Sequence, residues 1–164
     1  VIVDPSAASF LEVLRREGWN VRKADNDVIS GIRRTADALK SGQIVICDRF
    51  VDSSIAYQGY GRKLGESVRT INEYAVDGCL PDLTFLLKLD PKVGKGRIRF
   101  EEQDRLEQEK LDFHQRVYEG YAELEASTER MIGIDAERGI EEISRDIISE
   151  MERYLRERGI ENDL

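Results

Sequence analysis

A carboxylate and a guanidinium stand side by side where an apolar run ends: Asp48-Arg49 directly follows Gln43-Ile44-Val45-Ile46-Cys47. At the end of a buried strand such a pair faces a cleft. The carboxylate can hold Mg²⁺ or its waters, and the guanidinium can grip a phosphate through two hydrogen bonds. The chain continues Phe50-Val51-Asp52-Ser53-Ser54-Ile55-Ala56-Tyr57-Gln58-Gly59-Tyr60-Gly61-Arg62. Ser53, Ser54, Tyr57 and Gln58 add neutral hydrogen-bonding groups and an aromatic face, an inventory suited to a nucleobase and a sugar. Read from composition alone, the same residues also suit a surface ion pair beside a polar turn. Further on, Arg97, Arg99 and Arg105 stand in a basic, glycine-containing stretch, where Glu101, Glu102 and Asp104 could simply pair with them.

The elements that would position these groups alternate along the chain. Residues 1–3, 19–24, 43–47, 83–89 and 131–134 read as short strands, and 43–47 is apolar enough to be covered on both faces. Between them lie helix-period segments. Ala7, Phe10, Leu11 and Leu14 share a face before Gly18, and Val28, Ile32, Ala36 and Leu39 share one before Gly42. Residues 48–65 read as loop-like, 67–77 as a helix stopped by Gly78, 92–103 as an irregular loop and 104–126 as a long helix. Ile140, Ile143, Ile147, Met151 and Tyr154 form the apolar stripe of a last helix. Strands separated by helices imply a mostly parallel five-stranded sheet with helices on both faces, a three-layer α/β sandwich in a single domain of residues 1–164. Asp4, Asp48, Asp90 and Asp135 each follow a strand, at the edge where ligands of such sheets bind.

With 40% hydrophobic and 35% charged residues the chain reads as a charge-rich globular domain, and no apolar run approaches a membrane span. A net charge of −8 argues against a nucleic-acid surface but not against a nucleotide site, which needs only a few placed cations. Cys47 and Cys79 have no metal-binding spacing and read as reduced thiols of a cytoplasmic protein without a signal segment. The chain opens on Val1 and not on Met, which reads as a fragment or a processed chain.

The string from Asp48 to Arg62 resembles the thymidylate kinase signature, almost position for position. Leu80-Pro81-Asp82-Leu83-Thr84-Phe85 with Leu89-Asp90 resembles that family's fourth strand. Arg105-Leu106-Glu107-Gln108-Glu109, with Asp112-Phe113-His114-Gln115-Arg116-Val117 and Gly120-Tyr121, resembles its lid-to-helix segment, and Ile134-Asp135-Ala136 with Ile140-Glu141-Glu142-Ile143 its last strand and helix. The likeness covers residues 44–164. It implies a P-loop-kinase-like topology and ATP-dependent phosphorylation of dTMP with Mg²⁺. Asp48 would organise Mg²⁺ and the acceptor phosphate, and Arg49 would bind the phosphate of dTMP. Ser53 and Ser54 would lie against the thymidine, Tyr57 beside the sugar where a 2′-hydroxyl would clash, and Gln58 in the same pocket. Arg97, Arg99 and Arg105 would belong to the lid that neutralises the transferring phosphate. A homodimer through sheet-flanking helices is also implied.

One part of the family's machinery does not stand in these residues. Phosphoryl transfer needs a Gly-x-x-x-x-Gly-Lys-Ser/Thr loop whose amides cradle the ATP phosphates. After the first strand this chain has Asp4-Pro5-Ser6-Ala7-Ala8-Ser9, with neither glycine nor lysine, so the ATP site is expected to be lost. The segment that supplies the thymine-stacking aromatic is also short. Residues 1–43 instead resemble part of a phage terminase large-subunit nuclease domain, through Val3-Asp4-Pro5-Ser6, Glu17-Gly18-Trp19 and Ala24-Asp25-Asn26-Asp27. That resemblance implies a chimera joined near residues 39–45, with Asp4 at one acidic position of a two-metal nuclease. A lone carboxylate does not hold a metal pair, and Asp4-Pro5 equally suits a cap for the following helix. The sequence therefore supports an acceptor-side nucleotide domain with little kinase activity, a chimeric scaffold without activity, or a nuclease remnant, in that order.

Overall fold

The strand read at residues 19–24 forms at Val21–Lys23 (β1), and the apolar run 43–47 forms Ile44–Ile46 (β2). They pair in parallel, with Val21 opposite Ile44 and Lys23 opposite Ile46. A computed structural model describes residues 15–16, 21–23, 35, 37–90, 93 and 111–160. The chain divides into two compact units, Val1–Phe50 with Ser144–Leu164, and Val51–Ile143.

In the first unit, the helical turn at residues 37–40 delivers the chain to β2 through a defined stop. Gly42 takes φ 74°, a conformation only glycine adopts without cost. Gln43 N donates to Ala38 O and Gly42 N to Leu39 O, both at 3.0 Å, which satisfies the last helical carbonyls. The same pair of bonds ends the last helix, Ile140–Glu157 (α4): Ile160 N donates to Leu155 O and Gly159 N to Arg156 O, with Gly159 at φ 66°. Within α4, Met151 and Leu155 are buried.

The second unit begins with Val51–Ser54 (α1), which runs directly into a π-helical segment, Ile55–Gly61. Ser67–Val76 (α2), Thr84–Lys88 (β3), Leu111–Ser127 (α3) and Met131–Asp135 (β4) follow. β3 and β4 are parallel, from Thr84 opposite Met131 to Lys88 opposite Asp135. A parallel pair needs a crossover, and α3 belongs to the connection between these two strands. The core gathers Ile55, Ala56, Val68, Leu86, Phe113, Val117, Tyr121, Leu124 and Met131, with Tyr57 and Tyr60 packed against it.

Close approach of the π-helical segment to α3 depends on two glycines. A Cβ on Gly61 would stand 2.7 Å from Phe113 Cε2, and one on Gly120 would stand 2.6 Å from Tyr60 Cγ. Each helix thus offers a bare backbone to an aromatic ring of the other. Arg116 adds a polar tie, its Nε donating to Gly61 O at 3.0 Å.

Three expectations are corrected here. Residues 48–65 are not loop-like, because 51–61 are helical. The bond from Arg62 N to Tyr57 O, at 2.9 Å, spans five residues and widens the turn. Instead of one five-stranded sheet, the described residues hold four strands in two parallel pairs, and the first expected strand lies outside those residues. Ile140, placed on the buried stripe of the last helix, is 68% exposed because it stands at the helix's first position. The long helix is described from Leu111 to Ser127, so its expected start at residue 104 lies outside the described residues.

Candidate functional site

Asp48 and Arg49 stand just beyond β2, at the end of a parallel strand, the edge at which ligands of such sheets generally bind. Both are half-buried. Arg49 has φ 62°, the left-handed region that a long side chain enters only at a cost of about 1–3 kcal/mol. Its Nε atom is shielded from solvent. A bulky cation held in a disfavoured backbone state at a strand end is the kind of strain that clusters at binding sites.

Ser53, Ser54, Tyr57 and Gln58 lie in the second unit, on the continuous helical stretch of α1 and the π-helical segment. Ser53 is buried, Ser54 and Tyr57 are half-buried, and Gln58 is exposed. Ser54 Oγ accepts from Asn72 Nδ2 at 3.0 Å, and Asn72 Nδ2 also donates to Val68 O at 2.7 Å. With its acceptor side occupied by Asn72, the Ser54 hydroxyl still has a proton to donate. The Tyr57 ring meets Phe113 and Tyr121 edge-on, with centroids 6.1 and 6.4 Å apart. Such contacts fix the ring's orientation. Tyr60, on the same segment, has its phenol pushed above the ordinary range, first by burial and then by a hydrogen bond with Glu123. Arg97, Arg99 and Arg105 lie outside the described residues.

Sequence reading missed the groups that hold this helix. Asp52 is buried and receives both terminal nitrogens of Arg130, Nη2 to Oδ1 at 2.8 Å and Nη1 to Oδ2 at 2.9 Å. Arg130 Nη1 also donates to Thr84 Oγ1 at 2.6 Å. The one local signal was a carboxylate among apolar neighbours, Val51 and Ile55. Its partner, at residue 130, is too remote in sequence to be paired by spacing. Asn72, which tethers Ser54, gave no signal beyond a polar position on a helix.

Among the described residues no group of three His, Cys, Asp or Glu side chains could by itself hold a metal ion. No helix among them is long and apolar enough to cross a membrane. Neither cysteine is disulfide-bonded, and both are half-buried.

Residues 25–147 match the protein family described as Thymidylate kinase. A thymidylate kinase of Halalkalibacterium halodurans is 44% identical over 129 residues, which cover 76% of this chain and 61% of that protein. One of Halothermothrix orenii is 50% identical over 123 residues, covering 72% of this chain and 59% of that protein. The chain therefore spans about three-fifths of the length of these relatives. The family match reaches back to residue 25, so residues 25–43 fall inside it, although the terminase-like segment was expected to run to residue 43.

Proposed function

Because this chain belongs to the thymidylate kinase family, we propose that it binds dTMP through the acceptor segment 48–58, and that these 164 residues by themselves transfer phosphate slowly or not at all. The observation that carries the reading is a contrast within one sequence. The Asp48-to-Arg62 string, which resembles the signature almost position for position, lies within the family match, while no Gly-x-x-x-x-Gly-Lys-Ser/Thr loop occurs between residues 1 and 164. The finer fold reading goes with it: a three-layer, P-loop-kinase-like sandwich.

In this reading Arg49 grips the dTMP phosphate with its planar fork. Ser53 and Ser54 give hydrogen bonds to the thymidine, and Tyr57, held edge-on by Phe113 and Tyr121, closes the sugar side against a 2′-hydroxyl. Gln58, exposed on the same helix, completes the polar lining. By their resemblance to the family's lid, Arg97, Arg99 and Arg105 would neutralise the transferring phosphate. Asp48 suits Mg²⁺, which takes one or two carboxylates and completes its shell with water and phosphate oxygens, so a full protein cage is not required. When bound, that ion would screen the charge of the phosphates. The residues present do not suit ATP in the same way. In sequence, the first apolar run is followed by Asp4-Pro5, a carboxylate and a residue without an amide proton, and neither donates to a triphosphate.

Calorimetric titration of the 164-residue chain with dTMP tests the binding half. Saturable heat that disappears in Arg49→Ala is expected. No heat at millimolar dTMP leaves a scaffold without ligand affinity and ends this reading.

A further inference from the structure

Asp52 is a carboxylate on the helix that carries Ser53, Ser54 and Tyr57, and it is 5% exposed. A charge so far from water is costly unless it is paired and hydrogen-bonded. Arg130 meets it in a two-pronged fork and extends to Thr84 at the start of β3. The arginine is itself anchored, because its carbonyl accepts from Thr84 N at 2.8 Å and β4 begins at the next residue. Its guanidinium is committed to this fork and is not a phosphate ligand.

Apolar side chains of similar volume would hold such a place as well as a buried ion pair does, or better. The distinctive contribution of the pair is therefore direction, since a planar fork accepts a carboxylate in one plane and at one depth. We propose that Asp52 is a positioning residue for nucleotide binding. Through Arg130 and Thr84 it fixes the rotation and depth of the 51–61 helix against the β3–β4 ladder, and so sets where Ser53, Ser54, Tyr57 and Gln58 are presented. The ligand half of this proposal rests on the dTMP reading; the fixing of the helix does not.

Two measurements on the full chain separate these halves. Native-state amide exchange without ligand reads the clamp. In Asp52→Asn, and equally in Arg130→Lys, which keeps the charge but loses the fork, protection falls about tenfold or more across residues 53–61 while α3 keeps its protection. Uniform loss across the unit, no loss, or an Arg130→Lys chain that behaves as wild type overturns the clamp. Should Asp52→Asn fail to fold, Thr84→Val removes one acceptor alone and carries the same pattern at smaller amplitude. Titration with dTMP reads the ligand half. Affinity falls about tenfold when the helix is correctly placed in one molecule in ten. Lys88→Met, which breaks the unrelated Lys88–Glu125 pair in the same unit, leaves affinity unchanged. A loosened helix with undiminished dTMP affinity overturns the positioning role. A wild-type chain that takes up no dTMP overturns the binding reading, and the exchange data still decide the clamp.

Discussion

Replacing Gly61 by alanine puts the packing of the π-helical segment on α3 to a quantitative test. The new Cβ would stand 2.7 Å from Phe113 Cε2, 2.8 Å from Val117 Cγ2 and 3.1 Å from Phe113 Cζ. Carbon atoms pack best at about 3.5–4.0 Å, so the overlap approaches an ångström. Its neighbours cannot step aside, since Phe113 is 4% and Val117 6% exposed. The segment must lift from α3 and stretch the Arg116–Gly61 hydrogen bond with it. Overpacking of this kind costs about 1–3 kcal/mol, and alanine's advantage over glycine, about 0.5–1 kcal/mol, offsets only part of that. The expected net loss is about 1–2 kcal/mol, a fall in Tm of about 2–8 °C for a chain of this size. Urea unfolding of wild type, Gly61→Ala, Val117→Ala and the double variant measures it. Val117→Ala removes one overlapping atom, so the double variant should be about 1 kcal/mol more stable than the summed singles. Gly133→Ala is the contrast, because its Cβ meets the Glu125 carboxylate and the stem of Lys88 at Cδ. Both side chains reach solvent and can swing away, so a change within about 0.5 kcal/mol is expected. A Gly61→Ala chain as stable as wild type, or simple additivity with Val117→Ala, would refute this reasoning.

Further outcomes follow from strain and charge. Arg49→Gly relieves a left-handed residue that costs about 1–3 kcal/mol but adds about 0.5–1 kcal/mol of unfolded-state freedom. The urea midpoint should therefore hold or rise while dTMP heat is lost, and a lowered midpoint contradicts the strain argument. Arg116 holds the Asp112 carboxyl below its ordinary value. That contribution to stability is present above about pH 4 and is lost as pH falls through the lowered value. Asp112→Asn should flatten this acid limb of unfolding. Glu125 raises Lys88 through a hydrogen bond. Its contribution is present below about pH 10.4 and is lost as pH rises through the raised value, so Lys88→Met should flatten the alkaline limb.

What was legible in the sequence is what local chemistry dictates. The β-rich runs ending at Cys47 and Leu89 and beginning at Met131 became strands, and Gly42 and Gly78 follow helix ends as read. The stretch 51–61 was not legible as a helix. Gly59 and Gly61 are poor helix formers, and Ser53 and Ser54 favour caps and turns over helix interiors. Its anchoring was hidden for another reason. Asp52 finds Arg130 only once β3 and β4 are paired, and no spacing rule connects them. The candidate site was legible as residue types, a carboxylate and a guanidinium ahead of hydroxyls and an aromatic ring. Asn72 behind Ser54, and Phe113 with Tyr121 behind Tyr57, became visible only in the folded chain. The family match begins at residue 25, within the segment read as terminase-like.

The most direct trial of the central claim is a coupled assay of ADP release by the 164-residue chain with dTMP, ATP and Mg²⁺, run on the sample whose dTMP binding has been measured. Saturable dTMP binding with ADP release at the background rate is the expected result. Turnover at an ordinary kinase rate would show that Asp4-Pro5-Ser6-Ala7-Ala8-Ser9, or another stretch of this chain, cradles a triphosphate after all.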